Sequence, residues 1–305
     1  MYDIIIIGGG PAGMTAALYA RRNGKTVLII EKDGFGGQIS HSPRIENYPA
    51  SMSISGSEFA DKLLEQVMEQ GADVELETVI AAHDEGRIKR VITEEGGNYE
   101  ALSLIIASGV RHRMLGISGE EELVGHGISF CAVCDGDFFS GQTVAVVGGG
   151  NSALQEATLL ADTCQELILI QNLDHFTGEE SLLTPLLRRS NVRAMMGTVI
   201  KDFIKKDSEL AGLVLETVSD GKTHEVSCQG LFVAVGLIPE NRIFEQLISL
   251  DAHGYADSGE DCTTKTSGIF VAGDCRSKNV RQLTTACADG SVAALSACRY
   301  IDSIK

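Results

Sequence analysis

A pair of cysteines with an acidic neighbour is the most reactive pattern in the sequence. The segment SFCAVCDGDFF separates Cys131 from Cys134 by two residues and sets Asp135 directly after the second cysteine. Such pairs occur in zinc sites, as unreactive structural thiols and as redox dithiols. Zinc normally takes four ligands, and the sequence has no second C-x-x-C and no H-x-x-x-H. The pattern therefore favours a redox dithiol, and we expect no metal site.

Disulfide exchange explains why two thiols and a carboxylic acid would stand together. The reaction proceeds through a thiolate, and this spacing lets one sulfur attack while the other resolves the mixed disulfide. Asp135 can give a proton to a leaving thiolate or take one from an incoming thiol. An aspartate before a glycine such as Gly136 is also common in turns, so the sequence leaves both roles open.

A glycine-rich turn near the amino terminus predicts a dinucleotide-binding unit. The segment DIIIIGGGPAGMTAALYARRNGKTVLIIEK has the pattern of a strand, a turn, a helix and a second strand. Gly8, Gly10 and Gly13 form G-x-G-x-x-G, which permits a tight turn, close approach of a pyrophosphate and close packing of the helix. Glu31 ends the second strand, where a carboxylate can accept hydrogen bonds from a ribose.

The same pattern returns in the middle of the chain with one important change. In QTVAVVGGGNSALQEATLLADTCQELILIQN, the glycine positions hold Gly148, Gly150 and Ala153, and the position of Glu31 holds Gln171. The small residues predict that the unit keeps its fold. The stretch LILIQNLDHFTG contains no Arg or Lys, so the second unit lacks the usual residues that bind the ribose and its phosphate.

The two units predict an α/β fold with two dinucleotide-binding, three-layer Rossmann-like domains. A chain of 305 residues suits two domains. The late segment SGIFVAGDC again ends a strand with Gly and Asp, and a helical pattern follows over residues 280–300. We assign both to the first domain, so that the second domain is inserted into it. The first predicted domain covers residues 1–112 and 240–305, and the insertion covers residues 113–239.

Composition narrows the partners and the compartment. The formal net charge of -17 argues against nucleic acid or an anionic membrane as a partner. The amino-terminal MYDIIIIGGG has no cationic lead and too few apolar residues for a signal peptide or a membrane span, so we expect a cytoplasmic protein. Six further cysteines are scattered singly, which is typical of small buried residues rather than of a disulfide scaffold.

Taken in order, the motifs GGGPAG, GGQI with IENYP, ASG, CAVCDG, GGGNSA and SGIFVAGD with RQL resemble those of the low-molecular-weight thioredoxin reductases. The resemblance covers essentially the whole chain. It implies a homodimeric flavoprotein that passes electrons through FAD and a disulfide to thioredoxin. In it Cys134 faces the flavin, Cys131 is its disulfide partner and Asp135 is the acid. It also implies a cofactor site formed by Gly8, Gly10, Pro11, Ala12, Gly13, Glu31, Gly37, Gln38, Asn47, Asp274, Arg281 and Gln282.

The electron donor is where the sequence departs from the family pattern. Members that use NADPH carry His-Arg-Arg at this strand end and a further Arg four residues on, which bind the 2′-phosphate. This chain has Gln171, Asn172, Leu173 and Thr177 at those positions. Uncharged side chains cannot replace a bidentate arginine clamp, which puts NADPH in doubt. We therefore expect reduced ferredoxin as the donor, docked on the cations Arg276, Lys278 and Arg281 or Arg111 and Arg113.

Three alternatives stay open. A reductase of the same family could use NAD(P)H at an atypical nucleotide site. An FAD-dependent dithiol oxidase shares the scaffold and lacks the arginines, but such enzymes resemble one another in a His after the second cysteine, where this chain has Asp135. A noncatalytic flavin-binding protein would have no reason to keep C-x-x-C-D.

Overall fold

The structure is a computed structural model that describes residues 1–42 and 44–304. Those residues form seven α-helices: α1 (Pro11–Arg22), α2 (Gly56–Glu69), α3 (Glu120–Leu123), α4 (Ala132–Asp135), α5 (Asn151–Leu160), α6 (Glu180–Leu187) and α7 (Leu283–Ser303). They also form seventeen strands: β1 (Tyr2–Ile7), β2 (Val27–Glu31), β3 (Asp73–Leu76), β4 (Val79–Glu85), β5 (Ile88–Thr93), β6 (Asn98–Ile106), β7 (Val110–His112), β8 (Ile128–Ser129), β9 (Thr143–Val147), β10 (Glu166–Ile170), β11 (Val192–Met195), β12 (Thr198–Lys206), β13 (Glu209–Thr217), β14 (Thr223–Ser227), β15 (Gly230–Val233), β16 (Leu237–Pro239) and β17 (Ile269–Val271).

The chain divides into two compact units. The first contains Met1–Arg111 and Ile238–Lys305, and the second contains His112–Leu237. These limits lie within two residues of the expected domain limits. The chain crosses from one unit to the other in β7 and again in β16, and these two short strands pair with each other.

The first unit is built on a seven-stranded sheet with the order β3-β2-β1-β6-β5-β4, in which β17 also pairs with β6. Strands β1, β2, β3, β6 and β17 are parallel, whereas β4 and β5 form an antiparallel extension. The isoleucines of β1 are almost completely buried, as expected for a parallel strand covered on both faces. The pairing of Ile269–Val271 with β6 places the late SGIFVAGDC segment in this unit.

Helices α1 and α7 pack closely because small residues line their contact. A Cβ atom on Gly290 of α7 would lie 2.2 Å from the carbonyl oxygen of Ala12 in α1. Alanines of both helices, including Ala16, Ala293 and Ala297, share one buried cluster. This contact fixes the amino-terminal end of α1, where the glycine turn lies.

The second unit has a five-stranded parallel sheet with the order β11-β10-β9-β15-β8 and a separate antiparallel sheet of β12, β13 and β14. Its core lies on both faces of the parallel sheet. The glycine turn follows β9, and the cysteine pair follows the edge strand β8. Both sites therefore follow the carboxyl ends of parallel strands, where ligands bind in sheets of this kind.

Two elements differ from the sequence expectation. Helix α7 begins at Leu283 rather than near residue 280, because Gln282 acts as its N-cap and exchanges hydrogen bonds with Thr285. The run VELETVIAAH splits into β3 and β4 around Glu77 and Thr78. In the part of the chain that the structure describes, no helix is long and apolar enough to cross a membrane.

Candidate active site

Cys131 and Cys134 form a disulfide across one helical turn. Their Cα atoms lie 5.3 Å apart, and Cys131 is the N-cap of α4. The carbonyl oxygen of Cys131 accepts hydrogen bonds from the amides of Cys134 at 3.2 Å and of Asp135 at 3.0 Å. Both cysteines are partly exposed, and Val133 between them is 56% exposed. The turn thus presents a disulfide and an apolar side chain on a short, fixed piece of backbone.

Asp135 is a partly buried carboxyl that directly follows this disulfide in the chain. Its Oδ2 accepts a hydrogen bond of 2.6 Å from the Ser129 hydroxyl, while its Oδ1 is buried and has no partner among the described residues. Burial raises the pKa of Asp135, and the Ser129 hydrogen bond opposes that rise. A carboxyl with a raised pKa can hold a proton and give it to a leaving thiolate. The geometry supports the role of an acid more than that of a plain turn residue.

A second carboxylate lies at the same turn. Glu156 of α5 accepts a hydrogen bond from the amide of Ala132, which lies between the two cysteines. Neither Glu156 nor Ser129 was recognised from the sequence. The serine is two residues before Cys131, but the glutamate is 24 positions away from its partner and becomes visible only in the fold.

The first glycine turn has the local geometry of a phosphate-binding turn. Gly8 has a φ of +109°, and a Cβ there would lie 2.3 Å from the carbonyl oxygen of Ala107. A Cβ on Gly13 would lie 1.9 Å from the carbonyl oxygen of Gly8, so the helix packs directly on the turn. By contrast, a Cβ on Gly10 would meet nothing nearer than 4.0 Å. The space at Gly10 and the free amides that begin α1 fit a pyrophosphate.

Glu31 orders this turn. Its Oε2 accepts a hydrogen bond of 2.6 Å from the amide of Gly9, and its Oε1 accepts from the amides of Lys32 and Asp33. A carboxylate has about four acceptor positions, so it can still accept from a ribose hydroxyl. Gly36 donates its amide hydrogen to the carbonyl oxygen of Gly9 at 2.9 Å, which brings Gly37 and Gln38 to the same turn.

Two contacts place three of the remaining expected cofactor residues. A Cβ on Gly273 would lie 2.7 Å from Cβ of Ala12, so Asp274 follows directly after a contact with the glycine-turn helix, which begins at Pro11. Asn47 donates to Gln282 at 3.3 Å. Asp274 Oδ1 is buried and lies 3.5 Å from Nζ of Lys278, and burial raises the pKa of this carboxyl. A buried carboxylate oxygen beside an open glycine turn can accept from a hydroxyl, which fits a hydroxyl-bearing dinucleotide such as FAD.

The second glycine turn repeats the backbone and changes the side chain that packs on it. Gly148 has a φ of +135°, and a Cβ there would lie 2.4 Å from the carbonyl oxygen of Ala234. Gln171 is buried against Gly149, its Oε1 accepts from the amide of Asn172 and its Nε2 donates to the carbonyl oxygen of His175, each at 3.1 Å. Both ends of the amide are therefore used within its own loop.

Two of the five cations expected to receive ferredoxin are largely buried in ion pairs, and a third is only partly exposed. Arg276 has a side chain only 6% exposed and pairs with Asp289, and Lys278 is 11% exposed and contacts the same carboxylate. Arg281 donates to the carbonyl oxygen of Asp274 and stacks on the Tyr255 ring at 4.1 Å. The expectation of an exposed basic patch there was wrong for Arg276 and Lys278, because both side chains are largely buried and paired with Asp289. Arg111 and Arg113 are exposed, and Arg111 lies 3.5 Å from Glu240.

A disulfide followed by a partly buried acid, together with two dinucleotide-type glycine turns, is the arrangement of a flavoprotein disulfide reductase. A model of the pyridine nucleotide-disulphide oxidoreductase family matches residues 2–290. Thioredoxin reductase of Listeria monocytogenes is 37% identical over 305 residues, which cover 100% of this chain and 95% of that protein. Thioredoxin reductase of Bacillus subtilis is 35% identical over 100% of this chain and 96% of that protein. The thioredoxin reductase structure from Streptococcus pyogenes superposes with a TM-score of 0.94 at 37% identity, over 99% of each chain.

The chain therefore belongs to the pyridine nucleotide-disulphide oxidoreductase family and, within it, to the FAD-dependent low-molecular-weight thioredoxin reductases. The expected family and fold class are confirmed, and the chain is an enzyme of the disulfide oxidoreductase class. The description of the family names a pyridine nucleotide, and none of the names given above mentions ferredoxin. The comparisons thus lend no support to the expected ferredoxin donor.

Proposed function

We propose that this protein reduces the disulfide of thioredoxin with electrons that pass through FAD and the Cys131–Cys134 pair. The observation that carries the proposal is the disulfide turn of α4, where Asp135 is held beside two partly exposed cysteines. The names of the relatives supply thioredoxin as the substrate. The homodimer and the cytoplasmic location stay predictions.

The cysteine chemistry is a two-step exchange. One thiolate of the reduced pair attacks the thioredoxin disulfide, forming a mixed disulfide and releasing one thioredoxin thiolate, which takes up a proton. The other cysteine then attacks the mixed disulfide, which releases the second thioredoxin thiol and restores the Cys131–Cys134 bond. Two electrons have moved to thioredoxin. Asp135 is the group that can hold and return the proton at the cysteine pair.

The first unit is proposed to hold FAD. Gly8, Gly10 and the start of α1 would bind its pyrophosphate, Glu31 its ribose, and Asp274 a hydroxyl of its ribityl chain. When bound, FAD supplies a carrier that accepts electrons from the donor and delivers two of them to the disulfide.

The identity of the electron donor is a separate part of the proposed function. We favour reduced ferredoxin over NADPH because the loop from Gln171 to Thr177 has no Arg or Lys to pair with a 2′-phosphate. Gln171 uses both ends of its amide inside the loop, and Asp174 nearby is 93% exposed and adds negative charge. The exposed Arg111 and Arg113 are the remaining candidates for contact with an acidic carrier.

A pyridine nucleotide is the second candidate donor. The family description names it, and the second unit keeps the strained Gly148 and the open Gly150, where a Cβ would meet nothing nearer than 3.8 Å. This backbone can still receive a pyrophosphate. NADH or NADPH would then bind without the arginine clamp.

Anaerobic reduction of the flavin distinguishes the donors. The oxidised holoenzyme is mixed with reduced ferredoxin, NADPH or NADH, and the loss of flavin absorbance is followed in time. Reduced ferredoxin is expected to bleach the flavin at the rate of turnover, and micromolar NADPH is not. Rapid bleaching by NADPH would overturn the ferredoxin donor. Dithionite serves as the control that the flavin is reducible in each preparation.

Two variants sharpen this test. Gly150→Ala has room for its methyl group at a φ of -88°, so its fold is expected to survive. The methyl group would obstruct a nucleotide pyrophosphate but leave ferredoxin reduction unchanged. Cys134→Ser keeps the flavin and loses thioredoxin reduction, because one thiol cannot complete a two-electron exchange. Near-normal thioredoxin turnover by Cys134→Ser would refute the function itself, whichever donor is used.

A further inference from the structure

Glu156 connects helix α5 to the disulfide turn. Its Oε2 accepts the amide hydrogen of Ala132, the first residue of α4. The first amides of a helix have no acceptor within the helix, so a side chain that accepts there fixes the start of the turn. Ala132 is itself 7% exposed and packs in the core of the second unit. The contact therefore holds the backbone between the two cysteines to a rigid helix.

Among the described residues, the charged side chain recorded as acting on Glu156 is that of Asp135. Coulombic repulsion from Asp135 acts on Glu156, and the two carboxyls flank the same short helix. The other elements against α5 contribute apolar side chains to its core, among them Val146 of β9, Leu169 of β10 and Leu183 of α6. Glu179, before α6, bonds instead with Asn151 at the start of α5.

We propose that Glu156 is a positioning residue for disulfide exchange, which holds the Cys131–Cys134 turn through Ala132 and whose carboxyl is coupled to the carboxyl of Asp135. The inference rests on the proposed disulfide chemistry and adds a second carboxylate to it. Two nearby carboxyls in a buried site do not ionise independently, because each charge disfavours the other. The unpartnered Oδ1 of Asp135 is where the retained proton can reside.

The chemical step whose rate depends on Glu156 and Asp135 is the opening of the disulfide by a thiol. A dithiothreitol thiolate forms a bond to one cysteine sulfur as the Cys131–Cys134 bond breaks, and the released cysteine thiolate takes the proton from Asp135. The second dithiothreitol thiol then displaces the enzyme thiol and closes the oxidised ring of the reagent. Burial raises the pKa of both Asp135 and Glu156, in keeping with a shared proton at this site.

The test measures the rate of disulfide opening by dithiothreitol in the holoenzyme, from mass shifts after thiol alkylation, across a pH series. The observed rate constant is divided by the concentration of dithiothreitol thiolate, which removes the effect of the reagent's own titration. Any decrease in this corrected rate constant as the pH rises then reports loss of the Asp135 proton. Glu156→Gln keeps an oxygen for Ala132 and removes the charge. In this variant the corrected rate constant at low pH is expected to equal that of the wild type. Its decrease with rising pH is expected to begin at a pH lower by up to about one unit. Glu156→Ala also loses the hydrogen bond, and its plateau at low pH is expected to drop about tenfold.

The matched control is Gln155→Ala, an exposed position on the same helix, which is expected to leave the profile unchanged. A wild-type profile for Glu156→Gln would overturn the electrostatic role. A wild-type plateau for Glu156→Ala would overturn the positioning role. If Glu156→Ala does not fold, Glu156→Gln still decides the proposal. Because neither thioredoxin nor the physiological donor is present, failure of the proposed function would leave this result intact, and the reverse also holds.

Discussion

Ser129 donates its hydroxyl hydrogen to Asp135 Oδ2 over 2.6 Å and accepts the amide hydrogen of Cys131 over 3.2 Å. The serine thus joins the first cysteine and the proposed acid in one chain of hydrogen bonds. A hydrogen bond to an ionised carboxylate stabilises the ionised form, so Ser129 works against the effect of burial on Asp135. The acidity of this carboxyl is set by the balance between the two.

Removal of the serine hydroxyl should make Asp135 a weaker acid. In Ser129→Ala, the pKa of Asp135 is expected to rise further, because burial remains and the opposing hydrogen bond is lost. The rate constant for disulfide opening, divided by the concentration of dithiothreitol thiolate, should therefore begin to decrease at a higher pH than in the wild type. Asp135→Asn cannot ionise, so it should lose that decrease and slow the reaction by about 10²–10³-fold. Ser152→Ala, at an exposed position of α5, is the control. An unchanged pH profile in Ser129→Ala would show that Asp135 is not the titrating group.

The two glycines of the first turn should respond differently to substitution by alanine. Gly10 has a φ of -75° and open space, so Gly10→Ala should fold, yet its methyl group would stand where the pyrophosphate of FAD is expected. The purified variant should be stable but poor in flavin, which its visible absorbance and the FAD released on denaturation would measure. Gly8→Ala should fail to fold, because of the φ of +109° and the approach to Ala107. Gly150→Ala is the matched control and should retain flavin. Full FAD content in Gly10→Ala would place the cofactor elsewhere.

Arginines placed in the loop of the second unit should create a response to NADPH. Asn172, Leu173 and Thr177 are exposed, so Asn172→Arg, Leu173→Arg and Thr177→Arg can be combined with little effect on the core. Two or three new charged hydrogen bonds to a 2′-phosphate should lower the Kd for NADPH by roughly 10²-fold or more. The Kd for NADH, which lacks that phosphate, should stay unchanged and is the internal control. Wild-type protein that already binds NADPH at micromolar concentration would contradict the argument, since it would need a phosphate site outside this loop.

The sequence revealed those parts of the site that are local in the chain. The cysteine spacing, the two glycine turns and the exchange of Glu31 for Gln171 are all visible within single segments, and the fold and family followed from them. The contacts that the sequence did not reveal are those that depend on packing between separate helices and strands. Glu156 reaches the cysteine turn only because α5 lies against α4, and Arg276 is buried in an ion pair with Asp289 only because α7 returns beside it. Charge in the sequence therefore did not predict charge on the surface.

His112 gives a final prediction, because its imidazole is partly buried and stacked on the Phe130 ring. The ring centroids lie 4.3 Å apart with an angle of 19° between the planes. Burial lowers the pKa of His112 to about 4, from 6.5 for an unperturbed histidine. The folded protein therefore binds fewer protons than the unfolded chain between these values. Its contribution to stability is complete above pH 6.5 and is lost as the pH falls toward 4.

His112→Phe should remove this acid sensitivity, since phenylalanine keeps an aromatic ring against Phe130 and does not titrate. For each protein, the free energy of unfolding at about pH 5.5 is compared with its value at neutral pH. The decrease should be larger in the wild type than in the variant by about 1.4 kcal/mol. Urea unfolding followed by circular dichroism at both pH values measures the difference. His224→Gln, at an exposed position of β14, should lose stability as the wild type does. Equal losses in wild type and His112→Phe would mean that the imidazole is solvated in solution and titrates near its ordinary pKa.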